Sequence, residues 1–250
     1  MRFHGRVAMV TGGAKGIGAA VGGAFAREGA RVALLDVDGG ALEALTRELE
    51  QEGGQVLGLK ADVTRPAEIE AAVEAIRTRW GPVEVLVNNC GGFSTIRLTE
   101  EIPDNEWDAV LRINLTSAFL CTKAVLPSMK ERRWGRIVNF SSIGGRGGLL
   151  LLCSHYAAAK AAILGFTRHL ALEVAGFGIT ANAVAPGTVA TERFTALRSA
   201  AETEALAARV PLKRVADPAE IAQCVLFLAS DAASYMTGAC MDVNGGVLMV

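Results

Sequence analysis

Tyr156 and Lys160 stand four positions apart in "SHYAAAK", Ser154 to Lys160, with three alanines between them. Four residues make about one helical turn and alanine is the strongest helix former, so phenol and ammonium project from one helix face and can reach a common object. Tyrosine at its ordinary pKa of ~10 is a poor base at neutral pH, but a lysine charge ~5 Å away at an effective dielectric of ~20 contributes roughly 3 kcal/mol toward the phenolate. Such a tyrosine can take the proton of an alcohol as hydride leaves the carbinol carbon, or return it in the reverse reduction. By itself the pair fits equally the face of an amphipathic helix, so the rest of the chain decides.

A second group lies near the start. "TGGAKGIG" spaces Gly12, Gly16 and Gly18 as G-x-x-x-G-x-G, with Lys15 and Ile17 between them, after an apolar run and at the opening of a helical pattern. Glycine there permits a tight turn and lets backbone N–H groups approach a pyrophosphate. Asp36 closes the next apolar run, where a carboxylate can accept hydrogen bonds from an adenosine ribose. Metal chemistry has no such support, because His4, His155 and His169 have no cysteine at ligand spacing. Cys90, Cys121, Cys153, Cys224 and Cys240 form no C-x-x-C pair and read as reduced thiols.

These groups need a frame. Short apolar runs at 6–10, 31–36, 55–62, 83–89, 135–142, 179–186 and 238–243 read as strands. Helical patterns alternate with them near 16–28, 39–52, 66–80, 104–131, 155–176 and 217–230, the last opened by Asp217 as N-cap and Pro218. That alternation predicts an α/β fold with a parallel sheet and helices on both faces. We read 1–250 as one domain, with 187–216 as a lid over a site. The 25 basic residues nearly balance the 26 acidic ones, giving a formal charge of -1. No global field attracts nucleic acid or an anionic membrane, and small-molecule partners follow. The N-terminal apolar run is too short for a signal sequence and no apolar stretch reaches the ~18 residues that span a bilayer, so a soluble, cytoplasmic protein is expected.

"NNCGG" at 88–92, "INL" at 113–115 and "SS" at 141–142 complete a pattern with the glycine turn, Tyr156 and Lys160. From "GRVAMVTGG" to "VNGG" the chain resembles the short-chain dehydrogenase/reductase family. The resemblance implies a Rossmann-type, doubly wound, seven-stranded parallel sheet, a homotetramer or dimer, and NAD(P)-dependent interconversion of alcohol and carbonyl. By position it assigns Asn114, Ser142, Tyr156 and Lys160 to the catalytic tetrad. Ser142 would bond the substrate oxygen, Lys160 also the nicotinamide ribose, and Asn114 would fix a water that passes the proton outward. Asp62 with Val63 corresponds to the adenine contact, Asn88 to a strand-stabilising, cofactor-side asparagine, Gly91 to a further cofactor-side position, and Pro186, Gly187, Val189 and Thr191 to the nicotinamide-side loop. Two departures stand out: Cys90 replaces the family's alanine, which we read as packing, and 13 residues separate Ser142 from Tyr156, one more than is common.

Substrate contacts are expected from Phe93, Leu152, His155 and Phe194 beside Ser142 and Tyr156. The apolar "LLLLC" at 149–153 and Phe93 suggest a small or medium hydrophobic secondary alcohol or ketone, with Arg97 or Arg193 as anchors for an acid. The enzymic alternative is reduction of 3-oxoacyl groups on acyl carrier protein. Relatives with that role tend to carry arginines where Pro127 and Leu172 stand here, although Arg132, Arg133 and Arg168 lie nearby. The non-enzymic alternative is a dinucleotide sensor or scaffold. Asp36 accepts the 2′-hydroxyl of NAD and repels the 2′-phosphate of NADP, and Val37 follows where NADP enzymes often offer arginine. Lys15 alone argues the other way, so NAD(H) is expected. The apolar end, "GACMDVNGGVLMV", predicts assembly into a homotetramer.

Overall fold

A computed structural model describes residues 1–147, 152–196 and 199–250, apart from the side chain of Arg193. The strands are near-continuous apolar runs because helices cover both their faces. β1 (Val7–Thr11), β4 (Val85–Asn88), β5 (Gly135–Phe140) and β6 (Ile179–Pro186) are buried at every residue. β2 (Arg31–Asp36) is buried except at its ends, while the edge strands β3 (Gln55–Lys60) and β7 (Cys240–Val243) stay partly open. All seven form one parallel sheet in the order β3-β2-β1-β4-β5-β6-β7. The chain winds outward one way from β1 and the other way from β4, so a crevice opens beyond the carboxyl ends of these two strands. The register aligns Val10 with Leu34 and Val87, and Asn88 with Asn139. The turn after β1, Asp36 and the residues following β4 and β5 therefore share one rim.

One face packs under α1 (Gly16–Arg27), α2 (Gly39–Gln51) and α9 (Pro218–Ala229), with Phe25, Leu34, Val138 and Leu226 at its centre. The other packs under α3 (Pro66–Trp80), α5 (Ser117–Arg132) and α6 (Ser154–Val174) around Met9, Leu86, Val125, Ile137 and Leu170. α4 (Asp104–Leu111) precedes α5, and α7 (Glu192–Ala196) and α8 (Ala200–Arg209) occupy the long connection after β6. α8 opens with a Ser199–Glu202 capping box and buries none of its residues.

Two expectations need correction. The helix expected over 104–131 is broken by a π-helical turn, Arg112–Thr116. Asn114 Nδ2 donates to Val110 O at 2.9 Å and Ser117 Oγ to Ile113 O at 2.6 Å, so side chains compete for carbonyls that the α-helical ladder would use. The second concerns membranes. The helical run Asp104–Arg132 is long and apolar enough by composition to span one, with mean hydropathy of 1.4 in its best window. Within it, Cys121, Thr122, Val125 and Met129 are buried in the protein. Most of the "LLLLC" segment, 149–151, lies outside the described residues.

Candidate active site

β1 gives way directly to a turn in which Gly12 (φ +62) and Gly16 (φ +56) take left-handed angles that glycine adopts at no steric cost. A Cβ on Gly18 would strike the Gly12 carbonyl oxygen, and one on Gly16 would come within 3.1 Å of Thr191 Cγ2. The turn is thus bare backbone, with Thr191 lying against it. α1 starts from Lys15 with no side-chain cap and no acid in its first turn, which leaves its first N–H groups and positive end for an anionic guest. Ile17 packs against the core behind the turn.

Asp36 sits beside this cradle, accepting from Ala14 N–H and Asp38 N–H at 3.1 Å each. Lys15 Nζ is 2.6 Å from Asp38 Oδ2, and this hydrogen-bonded pair raises the lysine pKa and lowers that of Asp38. Asp62 accepts from the Thr64 hydroxyl and N–H, and that hydroxyl above all holds its carboxyl below the usual range. Val63 next to it is buried. Bare backbone at a helix start, with a carboxylate beside it, fits the diphosphate and ribose of a nicotinamide dinucleotide.

At the other end of the crevice Lys160 is 3% exposed and donates from Nζ to Phe140 O at 2.9 Å. Burial pushes its pKa from 10.5 down to about 8. Its Nζ lies 5.6 Å from the centre of the Tyr156 ring, and the Phe93 ring lies 4.8 Å from the same tyrosine. Ser141 donates its hydroxyl to Lys160 O at 2.7 Å, inside the protein. Ser142 instead heads a short 3-10 turn, Ile143–Gly145, accepting from Gly144 N–H at 3.2 Å. Leu152 packs against Gly144, so close that a Cβ there would collide with it.

Asn114 is drawn in by Gly91 and Gly92. Its amide exchanges two hydrogen bonds with Gly92, donating to O at 2.7 Å and accepting from N at 2.8 Å. Gly91 (φ +156) has no room for a Cβ, which would strike Asn114 Oδ1 and approach Lys160 Nζ to 3.0 Å. Burial pushes the adjacent Cys90 thiol up to about 11, so it stays protonated at neutral pH.

Three sequence assignments change. His155 is fully buried and offers a substrate no surface; its ring faces Glu106 and the Tyr156 backbone. Asn88 keeps the strand-stabilising half of its assignment, donating to Asn139 of β5 at 2.8 Å and to Thr122 of α5 at 3.2 Å, but its side chain lies in the core and not on the cofactor side. Asn89 faces the glycine turn instead, donating from Nδ2 to the carbonyls of Thr11 at 2.9 Å and Gly12 at 3.0 Å. Strand alternation carried that signal, since neighbours in a strand point to opposite faces. Arg97 is shared with Glu106, its Nε 3.0 Å from Oε2, so an acid on the substrate would meet a guanidinium already in an ion pair.

In the loop after β6, Gly187 N–H bonds Val243 O, Val189 bridges to Ala216, and Phe194 N–H bonds the Thr191 hydroxyl. Pro186 ends β6 opposite Val243. Among the described residues no group of three or more His, Cys, Asp or Glu could hold a metal ion.

Fold and site together define a nicotinamide-dinucleotide oxidoreductase. A family model described as enoyl-(acyl carrier protein) reductase matches residues 12–248. The 3-oxoacyl-(acyl-carrier-protein) reductase of Escherichia coli strain K12 is 41% identical over the full length of both chains. The 2-(S)-hydroxypropyl-CoM dehydrogenase 3 of Xanthobacter autotrophicus is 38% identical over 100% of this chain and 99% of its own. Among solved structures, an actinorhodin polyketide ketoreductase variant with NADPH superposes with a TM-score of 0.92 at 38% identity, covering 97% of each chain. A 3-oxoacyl-(acyl-carrier-protein) reductase from Brucella melitensis with bound NAD gives 0.91 at 34%, covering 100% of this chain and 95% of that one. The chain belongs to the short-chain dehydrogenase/reductase family, whose members use NAD(P)(H).

Proposed function

We propose that the protein interconverts a small or medium, largely apolar secondary alcohol and its ketone with NAD(H), Tyr156 acting as acid and base. The observation that carries this reading is the pairing of Tyr156 with a buried lysine on one side and an apolar ring, Phe93, on the other. The dinucleotide supplies or accepts hydride when bound. Gly12, Gly16, Gly18 and Asp36 hold its diphosphate and adenosine half, with Asp62 and Val63 toward the adenine, the Asn88 backbone and Gly91 along the middle, and the 186–191 loop at the nicotinamide. Tyr156 gives a proton to the substrate oxygen or takes one from it, and the Lys160 charge favours the phenolate. Ser142 orients that oxygen. The Asn114 side chain fixes the Gly91–Gly92 turn beside Lys160, so a water on the proton path falls to its backbone. The 187–216 connection closes over the substrate, Phe194 with it.

A second reading, reduction of a 3-oxoacyl group on acyl carrier protein, draws on the Escherichia coli relative. For it, Lys123 and Lys130 line the groove that holds Pro127, Phe119, Leu126 and Phe166; against it, Pro127 and the 80% exposed Leu172 stand where such relatives tend to carry arginines. Assay of NADH and NADPH oxidation with a ketone panel and with an acetoacetyl group on acyl carrier protein separates the two. Faster turnover of the carrier-bound substrate, or of NADPH, rejects the first reading. With Cys90, Cys121, Cys153, Cys224 and Cys240 all free thiols, we place the enzyme in a reducing cytoplasm, as a homotetramer.

A further inference from the structure

Cys153 is the N-cap of α6, the helix that carries Tyr156 and Lys160, yet its side chain caps nothing in that helix. Its Sγ is spent on the preceding segment, donating to Thr95 O at 3.1 Å and accepting from Arg97 N–H at 3.2 Å. The third amide of a helix ordinarily finds its acceptor on the N-cap side chain, and here that amide belongs to Tyr156. His155 takes over the duty: its Nδ1 accepts from Tyr156 N–H at 2.7 Å. An Nδ1 that accepts leaves the proton on Nε2, and Nε2 faces Glu106 Oε1 at 3.4 Å. Glu106 in turn holds Arg97 through its other oxygen at 3.0 Å. The same segment touches the helix start twice more, through Thr99 and Ser154 hydroxyls at 3.2 Å and through the Phe93 ring on Tyr156.

We infer that His155 and Glu106, with Arg97 closing the chain, are positioning residues for Tyr156: they cap its amide, fix the imidazole tautomer that can do so, and lock the first turn of α6 to the 93–99 wall of the substrate site. The inference rests on the acid and base role proposed for Tyr156. It implies that the wall and the tyrosine move as one body, so disorder in the wall reaches the phenol without touching the cofactor cradle.

The protein has two tyrosines, and the other, Tyr235, is fully exposed. In a Tyr235→Phe background, ultraviolet titration therefore reads Tyr156 ionisation alone, with no substrate required. His155→Phe, which keeps the ring and removes the acceptor, is expected to raise that titration midpoint by about half a pH unit or more and to lower kcat for NADH-dependent ethyl acetoacetate reduction at least ~10-fold. NADH affinity by fluorescence should stay within about twofold, because the cradle is separate. Glu106→Ala should follow His155→Phe, and Glu106→Gln, whose amide oxygen still accepts from Nε2–H, should recover most of kcat. A wild-type titration and kcat in His155→Phe overturns the inference, as does Glu106→Gln failing as badly as Glu106→Ala. If His155→Phe does not fold, the Glu106 pair decides alone. Turnover surviving in Tyr156→Phe would instead sink the tyrosine mechanism itself.

Discussion

Replacing Lys160 by methionine should stabilise the folded protein while destroying its activity. Burial lowers the lysine pKa from 10.5 to about 8. At ~1.4 kcal/mol for each tenfold in the proton equilibrium, holding the charged form in the folded state at pH 7 costs about 3 kcal/mol. Methionine matches the stem and removes that cost. It also leaves Phe140 O without its donor, which takes back about 1 kcal/mol, so the net gain is about 2 kcal/mol, or a Tm higher by about 4–8 °C for a chain of this size. The pH dependence carries the signature. The folded pKa lies below the unfolded one, so the penalty is complete below about 8, fades as pH climbs from there to 10.5 and is absent above. Lys160→Met should therefore lead the wild type in Tm at pH 7 and lose the lead by about pH 10.5, since only the wild type gains stability across that window. Calorimetry from pH 6.5 to 10.5 measures both curves. A variant less stable than the wild type at pH 7, or a lead that does not shrink with pH, would refute the claim that burial of a charge governs this lysine.

Tyr156→Phe should reduce turnover by about a thousandfold or more while NADH binding stays near normal, because one hydroxyl leaves an otherwise unchanged ring; stopped-flow fluorescence and steady-state rates report the two separately. Gly91→Ala should cut kcat at least ~10-fold, since its methyl group would be driven into Asn114 and toward Lys160. Asp36→Ala should shrink an NAD(H) preference of at least ~10-fold in kcat/KM, and adding Val37→Arg should reverse it; wild-type use of NADPH as good as NADH would show that Lys15 governs the pocket. A stable monomer in sedimentation at micromolar concentration would contradict assembly through the partly open β7 edge and its exposed apolar end, Met249 and Val250.

Local signals explain how much of the molecule could be read in advance. Most strands were apolar runs closed by glycine, aspartate or asparagine, and β5 by Ser141 and Ser142, so seven strands and their helices were legible, with errors of a residue or two at most ends. The Tyr156–Lys160 pair was legible because helical spacing is a local rule. The π turn at Arg112–Thr116 was not, because it depends on which carbonyl a buried Asn114 chooses once Gly92 has packed against it. Side-chain direction at a helix start failed for a similar reason. His155 precedes Tyr156 by one position, about 100° around the helix, and only the docking of α4, which brings Glu106, decides that this direction points inward.

Charge pairing shows the limit most clearly at the cofactor cradle. From sequence, Lys15 and Asp36 were two opposed votes on a 2′-phosphate. The fold adds a third member, Asp38, whose carboxylate caps α2 through Ala41 N–H and takes Lys15 as its partner. Asp36 meanwhile accepts from two backbone amides, which orient it beside the turn without neutralising it. A 2′-phosphate bringing about two negative charges would meet two carboxylates and one lysine already engaged, whereas a 2′-hydroxyl can donate to Asp36 and leave the Lys15–Asp38 pair in place. The claim of Asp38 on Lys15 spans 23 positions and exists only once β1 and β2 lie side by side. We propose that this third charge favours NAD(H), which the comparison of NADH and NADPH turnover tests.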